Sequence, residues 1–141
     1  MTAIPEWILK GWQVLVIDDE PDASEVTQYL LEMYGANVMT ASSGNQGLEL
    51  VNIHKPRFII CDVSMPDVSG LDVVKQLKSQ PATSSIPVIA LTAHAMAGDR
   101  EKLIAQGFHT YLSKPVRPET FVEQLVDLLA EVFPELREPS A

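Results

Sequence analysis

The stretch FIICDVSMPD, residues 58–67, decides how this chain is read: an apolar run without polar interruption stops abruptly at a carboxylate, Asp62. A run this short, partly β-branched and bounded by Asp and Pro, reads as a strand covered on both faces, because a half-exposed strand would alternate. Ionised carboxylates are seldom fully buried unless they are paired or hold a metal, since desolvation costs several kcal/mol. Asp62 is therefore expected at a strand tip, outside the core, with its carboxylate exposed. Turn chemistry alone would also place an Asp before SMPDVSG, so the meaning of Asp62 depends on the rest of the chain.

Similar runs occupy residues 14–17 and 88–91. Two weaker strands are expected at Asn37–Ala41, where Val38 alternates with polar neighbours, and at Thr110–Ser113; these read as sheet edges. Helical patterns lie between. After DDEPD, Val26, Leu30 and Met33 recur at helical spacing, and Gly35 supplies a stop. SGNQGLELVNIH (43–54), GLDVVKQLKSQ (70–80) and MAGDREKLIAQG (96–107) give three more helices, the second closed by Pro81 and the third by Gly107. In the fifth, Phe121, Leu125, Leu128, Leu129 and Val132 share a face, with Glu123, Asp127 and Glu131 elsewhere.

Strict β/α alternation implies an α/β protein with a parallel sheet and helices on both faces. Placing the continuous apolar strands inside and the alternating ones outside gives the order 2-1-3-4-5. That is the doubly wound, flavodoxin-like arrangement, in which ligands bind at the carboxyl ends of strands one and three.

A chain of 141 residues fits one domain. A hydrophobic content of 46% with 21% charged residues is that of a soluble globular protein. The formal charge of -9 disfavours nucleic acid and acidic membrane surfaces as partners. Cys61 is the one cysteine, which excludes an internal disulfide and reads as a small buried thiol in a reducing compartment. The N-terminal MTAIPEWILKGWQ lacks the features of a signal peptide, and no apolar run approaches the ~20 residues of a membrane span, so a cytoplasmic location is expected. Trp7 and Trp12 are expected to cap the core.

The predicted strand ends carry an unusual set. Strand one ends in Asp18, Asp19 and Glu20, strand three in Asp62, strand four in Thr92, and strand five in Lys114 followed by Pro115. Two unit charges 4 Å apart at an effective dielectric of 20 repel by ~4 kcal/mol, so converging carboxylates need neutralising. A hard divalent cation would do this with help from Lys114, and Mg²⁺, which favours few carboxylates, several waters and a phosphate, suits a small open site. There is no EF-hand pattern, and the histidines lack zinc-ligand spacing.

VLVIDDEPD, IICDVSMPDVSG, VIALTAHA and YLSKPV, in this order, resemble the four signatures of the receiver domain of bacterial two-component response regulators. The resemblance spans residues 12–133, leaving 1–11 as an N-terminal extension and 134–141 as a C-terminal tail. It implies that Asp62 accepts a phosphoryl group from a histidine kinase or a histidine phosphotransfer protein. It also implies that Asp19, Asp62 and the carbonyl of Ser64 bind Mg²⁺ with Asp18 assisting, and that Lys114 and Thr92 contact phosphoryl oxygens. Thr92 and Tyr111 would form the switch, read by a downstream protein on the surface of helix four, strand five and helix five (about 97–132), and the family leaves homodimerisation there open. The Lys114-Pro115 bond is expected to be cis. His94 reads as a solvated loop histidine.

No turnover of an outside substrate is expected. A flavodoxin would need a hydroxyl- and glycine-rich phosphate loop where this chain has DDEPD, and a dehalogenase-like phosphatase would need a second carboxylate where it has Ser64. The few residues past Phe133 are too short for a DNA-binding module, so a single-domain receiver is expected. The alternatives are a receiver excised from a hybrid kinase or longer regulator, and a pseudo-receiver that binds partners without phosphorylation.

Overall fold

Five parallel strands form one sheet in the order β2-β1-β3-β4-β5. They are β1 (Gln13–Ile17), β2 (Asn37–Ala41), β3 (Phe58–Asp62), β4 (Val88–Thr92) and β5 (Thr110–Ser113). This is a computed structural model, describing residues 4–93 and 99–136. The helices α1 (Pro21–Glu32), α2 (Gly44–His54), α3 (Gly70–Lys78), α4 (Asp99–Ala105) and α5 (Phe121–Leu129) alternate with the strands, and a 3-10 turn follows at Pro134–Leu136. Strand order and edge assignment are those the sequence predicts. His94, residues 96–98 of the predicted fourth helix and the tail from 137 onward lie outside the described residues.

The period of two along each strand divides the core into two layers. Val14, Val16, Phe58, Ile60, Ile89 and Leu91 face α1 and α5, whereas Leu15, Ile17, Ile59, Cys61, Val88 and Ala90 face α2, α3 and α4. Central strands covered on both faces need no polar side, which is why their sequences run apolar until the last residue.

One helix, α1, presents a different face from that expected, and α5 departs from its expected face only at the end. In α1 the buried residues are Ser24, Thr27, Leu30 and Leu31, while Val26 and Met33 are exposed. Thr27 is admitted to the interior because its hydroxyl donates to the Ala23 carbonyl at 3.0 Å, satisfying itself within the helix. In α5, Val122 and Val126 are buried with Phe121, Leu125 and Leu129, whereas Val132 lies past the helix end and is exposed. Gly35 and Gly107 close α1 and α4 at φ +97° and +116°, as their positions predict.

Trp12 caps the core; Trp7, contrary to expectation, is 43% exposed. Leu9 N–H donates to the Tyr34 carbonyl at 2.9 Å, and it is Ile8 and Leu9 that enter the core, leaving Trp7 outside. The Trp12 ring packs edge-on against Phe133, with centroids 4.9 Å apart. The Arg57 guanidinium lies 4.0 Å from the Trp12 centroid and 2.8 Å from a Glu135 oxygen. This clasp joins the residue before β1 to the segment after α5, at the edge of the core opposite the strand tips.

Gly70, which opens α3, presses against the end of β3. A Cβ there would lie 2.5 Å from the Asp62 carbonyl oxygen and 2.8 Å from the Val63 Cα. Neither atom can swing aside, because Val63 N–H is bonded to the Leu91 carbonyl at 3.0 Å. Gly70→Ala is therefore expected to lower stability by about 1–3 kcal/mol, read as a fall in urea midpoint with an unchanged slope. A wild-type midpoint would mean that α3 can retreat from the strand.

Candidate functional site

The carboxyl ends of β1, β3 and β5 bring Asp18, Asp62 and Lys114 into one crevice, beside β4, which ends at Thr92. Strand pairing sets their mutual positions. Asp18 N–H continues the ladder to the Ala41 carbonyl at 3.0 Å, and Lys114 N–H continues it to the Thr92 carbonyl at 2.9 Å. The Lys114-Pro115 bond is cis, as expected.

Asp62 is the last residue of β3, and its carboxylate is not exposed as expected: the residue retains only 3% of its accessible surface. Burial is tolerated because both oxygens have partners. Oδ1 accepts from the Ser64 N–H at 3.1 Å, and Oδ2 accepts from Lys114 Nζ at 3.2 Å. The same ammonium donates to Asp18 Oδ1 at 3.4 Å and to Glu20 Oε1 at 2.9 Å. Asp18 also receives the Glu20 N–H, at 3.0 Å on Oδ1.

The electrostatics follow. Burial pushes the Asp62 carboxyl up from 3.8 to about 6; the Lys114 charge opposes this, the Asp18 charge adds to it, and the Ser64 N–H opposes it more weakly. For Lys114, burial acts against the charged form, but the Glu20 bond and the Asp18 and Asp62 charges outweigh it and hold the amine above its ordinary range. The bond to Lys114 holds Glu20 below the usual carboxylate range. Cys61 is a buried thiol pushed upward by desolvation first and by Asp62 and Asp18 next, so it is a packing residue.

Carboxylate oxygens of Asp18, Asp19, Glu20 and Asp62 lie within 4.8 Å of one another. Asp18 Oδ2 is fully buried and, although 3.2 Å from Lys114 Nζ, has no hydrogen-bond partner among the described residues. An orphaned, ionisable oxygen within an all-oxygen donor set fits a hard divalent cation. Partial exposure of Asp19 leaves one side open, as an ion retaining several waters requires.

The remaining predicted residues are near but distinct. Thr92 is buried at the tip of β4, and Ser64 is exposed just after β3. Tyr111 is half-buried on β5 against the layer facing α2, α3 and α4, and it borders a cleft shared with Phe121, Gln124 and Leu128. The residue absent from the predicted functional set is Glu20, which makes the shortest contact to Lys114. Its place directly after Asp18 and Asp19 was the available signal.

The response regulator receiver domain family matches residues 14–126. The polar-differentiation response regulator DivK of Brucella ovis is 36% identical over 118 residues, covering 84% of this chain and 96% of that protein. The fold is similar to that of the chemotaxis response regulator CheY4 of Vibrio cholerae, with a TM-score of 0.79 at 29% identity over 84% of this chain and 98% of that one. It is also similar to the signal receiver domain of a histidine kinase from Syntrophus aciditrophicus, with a TM-score of 0.75 at 25% identity over 93% and 96% of the two chains. Fold, strand-end chemistry and relatives agree, and the chain belongs to the response regulator receiver domain family of two-component signalling.

Proposed function

We propose that this receiver is switched by transfer of a phosphoryl group to Asp62 from a phosphohistidine on a kinase or phosphotransfer protein. The observation that carries the reading is Lys114 Nζ, 3.2 Å from Asp62 Oδ2 and 3.2 Å from the buried Asp18 Oδ2. A structural ion pair would not require three carboxylates around one amine. An Asp62 oxygen attacks phosphorus; the P–O bond forms as the P–N bond breaks, and the electron pair stays on the imidazole nitrogen.

Lys114 offers its ammonium to a phosphoryl oxygen and Thr92 its hydroxyl to another, placing donors where charge gathers during transfer. Mg²⁺, held by Asp19, Asp62 and the Ser64 carbonyl with Asp18 assisting, would offset negative charge on the transferring group. Occupation of the site draws on Thr92 and Tyr111 and shifts the population of a surface formed by α4, β5 and α5, where a downstream protein binds. The signalling unit spans residues 12–133, and the buried Ile8 and Leu9 of the extension before it pack into the same core. We place the protein in the cytoplasm; no described helix is long and apolar enough to cross a membrane.

Incubation with acetyl phosphate and Mg²⁺ is expected to give a single phosphoryl adduct by intact mass, lost in Asp62→Asn and reduced at least tenfold in rate in Lys114→Ala. An adduct that persists in Asp62→Asn would sink the assignment.

A second expectation concerns stability. Because the Asp62 carboxyl titrates near 6 in the fold and near 3.8 when unperturbed, it is neutral in both states at low pH and costs nothing there. The cost grows as pH rises between these values and is constant above them, at about 1.4 kcal/mol per pH unit separating them. In metal-free buffer, Asp62→Asn should therefore be more stable than wild type by on the order of 1–3 kcal/mol at about pH 7.5, and the gain should vanish near about pH 3. Denaturant titrations at both pH values check this, and a variant no more stable at the higher pH refutes it.

A further inference from the structure

An ammonium group has three donors, and those of Lys114 are all engaged, by Glu20 Oε1 at 2.9 Å, Asp62 Oδ2 at 3.2 Å and Asp18 Oδ1 at 3.4 Å. A phosphoryl oxygen can reach this amine only if a bond is exchanged. Asp18 is fixed at the end of β1 with its side chain fully buried, and Asp62 is nearly as enclosed. Glu20 differs from both, because its side chain is 66% exposed on the rim and can be taken up by water.

Its placement has a second mark. Glu20 is the N-cap residue of α1, directly before Pro21. Glu is not one of the short side chains that cap a helix from this position, and Glu20 makes no side-chain bond to the start of α1. Its carboxylate instead crosses the mouth of the crevice to a lysine 94 residues further along the chain. The carboxylate is thus bound to the lysine and not to its own helix.

We propose that Glu20 is a latch: it competes with the incoming phosphoryl group for Lys114 and slows phosphoryl gain from small anionic donors. The inference rests on Asp62 being the phosphoacceptor. With acetyl phosphate, an Asp62 oxygen bonds to phosphorus while the bond from phosphorus to the acetyl oxygen breaks, and acetate leaves with the electron pair. The transferring group needs an N–H of Lys114 as this happens, and release of Glu20 supplies it. Charge acts in the same direction. Four carboxylates against one ammonium and a divalent cation leave the mouth net negative, whereas without Glu20 it is neutral.

The test is the rate of adduct formation by intact mass, with acetyl phosphate at saturating Mg²⁺, for wild type, Glu20→Gln and Glu20→Asp. Gln removes the charge at constant length; Asp keeps the charge but is one methylene short of Lys114. Both variants are expected to react faster, Gln by roughly 3-fold or more, as loss of one exposed ion pair allows. Raising the salt concentration should accelerate the wild type towards Glu20→Gln, because an exposed pair is screened, whereas a purely structural role would leave the ratio unchanged. Variants no faster than wild type, a salt-independent ratio, or acceleration by Gln alone would each overturn the latch. A wild type that forms no adduct overturns the phosphoacceptor reading and the latch with it.

Discussion

The carboxyl edge of this sheet depends on one ammonium. Asp18 and Asp62 are buried within reach of the same point, and two negative charges at such separations repel by ~4 kcal/mol even at an effective dielectric of 20. Lys114 Nζ lies between them and makes their burial tolerable. This in turn restricts the edge strand. β5 is only four residues long, yet its exit must place Lys114 over the tips of β1 and β3, and the bond from Lys114 N–H to the Thr92 carbonyl continues the ladder to that point. The residue whose side chain balances the site is thus also the one whose backbone N–H extends the ladder past the last strand.

Balance is incomplete, and the shortfall is informative. Among the described residues Asp18 Oδ2 has no hydrogen-bond partner, and the Asp62 carboxyl sits well above its ordinary range. A fold selected for stability alone would replace such groups, because buried charges that are incompletely compensated are destabilising. Their retention marks the crevice as a place where stability gives way to reactivity. The opposite end of the core is built otherwise: Trp12, Phe133, Arg57 and Glu135 form a clasp whose ion pair lies at the surface. Strain and security are kept at opposite edges of one sheet.

What the sequence disclosed follows the same division. The central strands were legible because two-sided burial leaves an unbroken apolar run, and the edges because one exposed side restores alternation at Val38 and its neighbours. Helix faces were less legible. Threonine counts as polar in a pattern, but Thr27 satisfies its own hydroxyl on Ala23 and belongs to the core, so a stripe drawn through Val26 and Met33 ran off the buried face. Trp7 and Trp12 have the same composition and opposite fates, decided by the backbone bond from Leu9 to Tyr34, which no side-chain pattern encodes.

At the site, the residue types and their strand-end positions were readable, but their degree of enclosure was not. Asp62 was expected to be exposed because an isolated carboxylate must be; that argument fails once a lysine 52 residues away and the N–H of Ser64 take both oxygens. Glu20 was counted among the carboxylates at the end of strand one but given no role, and only its distance to Lys114 reveals one. A lysine held by two buried carboxylates and one solvated carboxylate has a single contact that can yield without exposing a buried charge. The order in which its bonds can be exchanged is therefore set by burial, and burial here follows from which carboxylates lie on strands and which begins a helix.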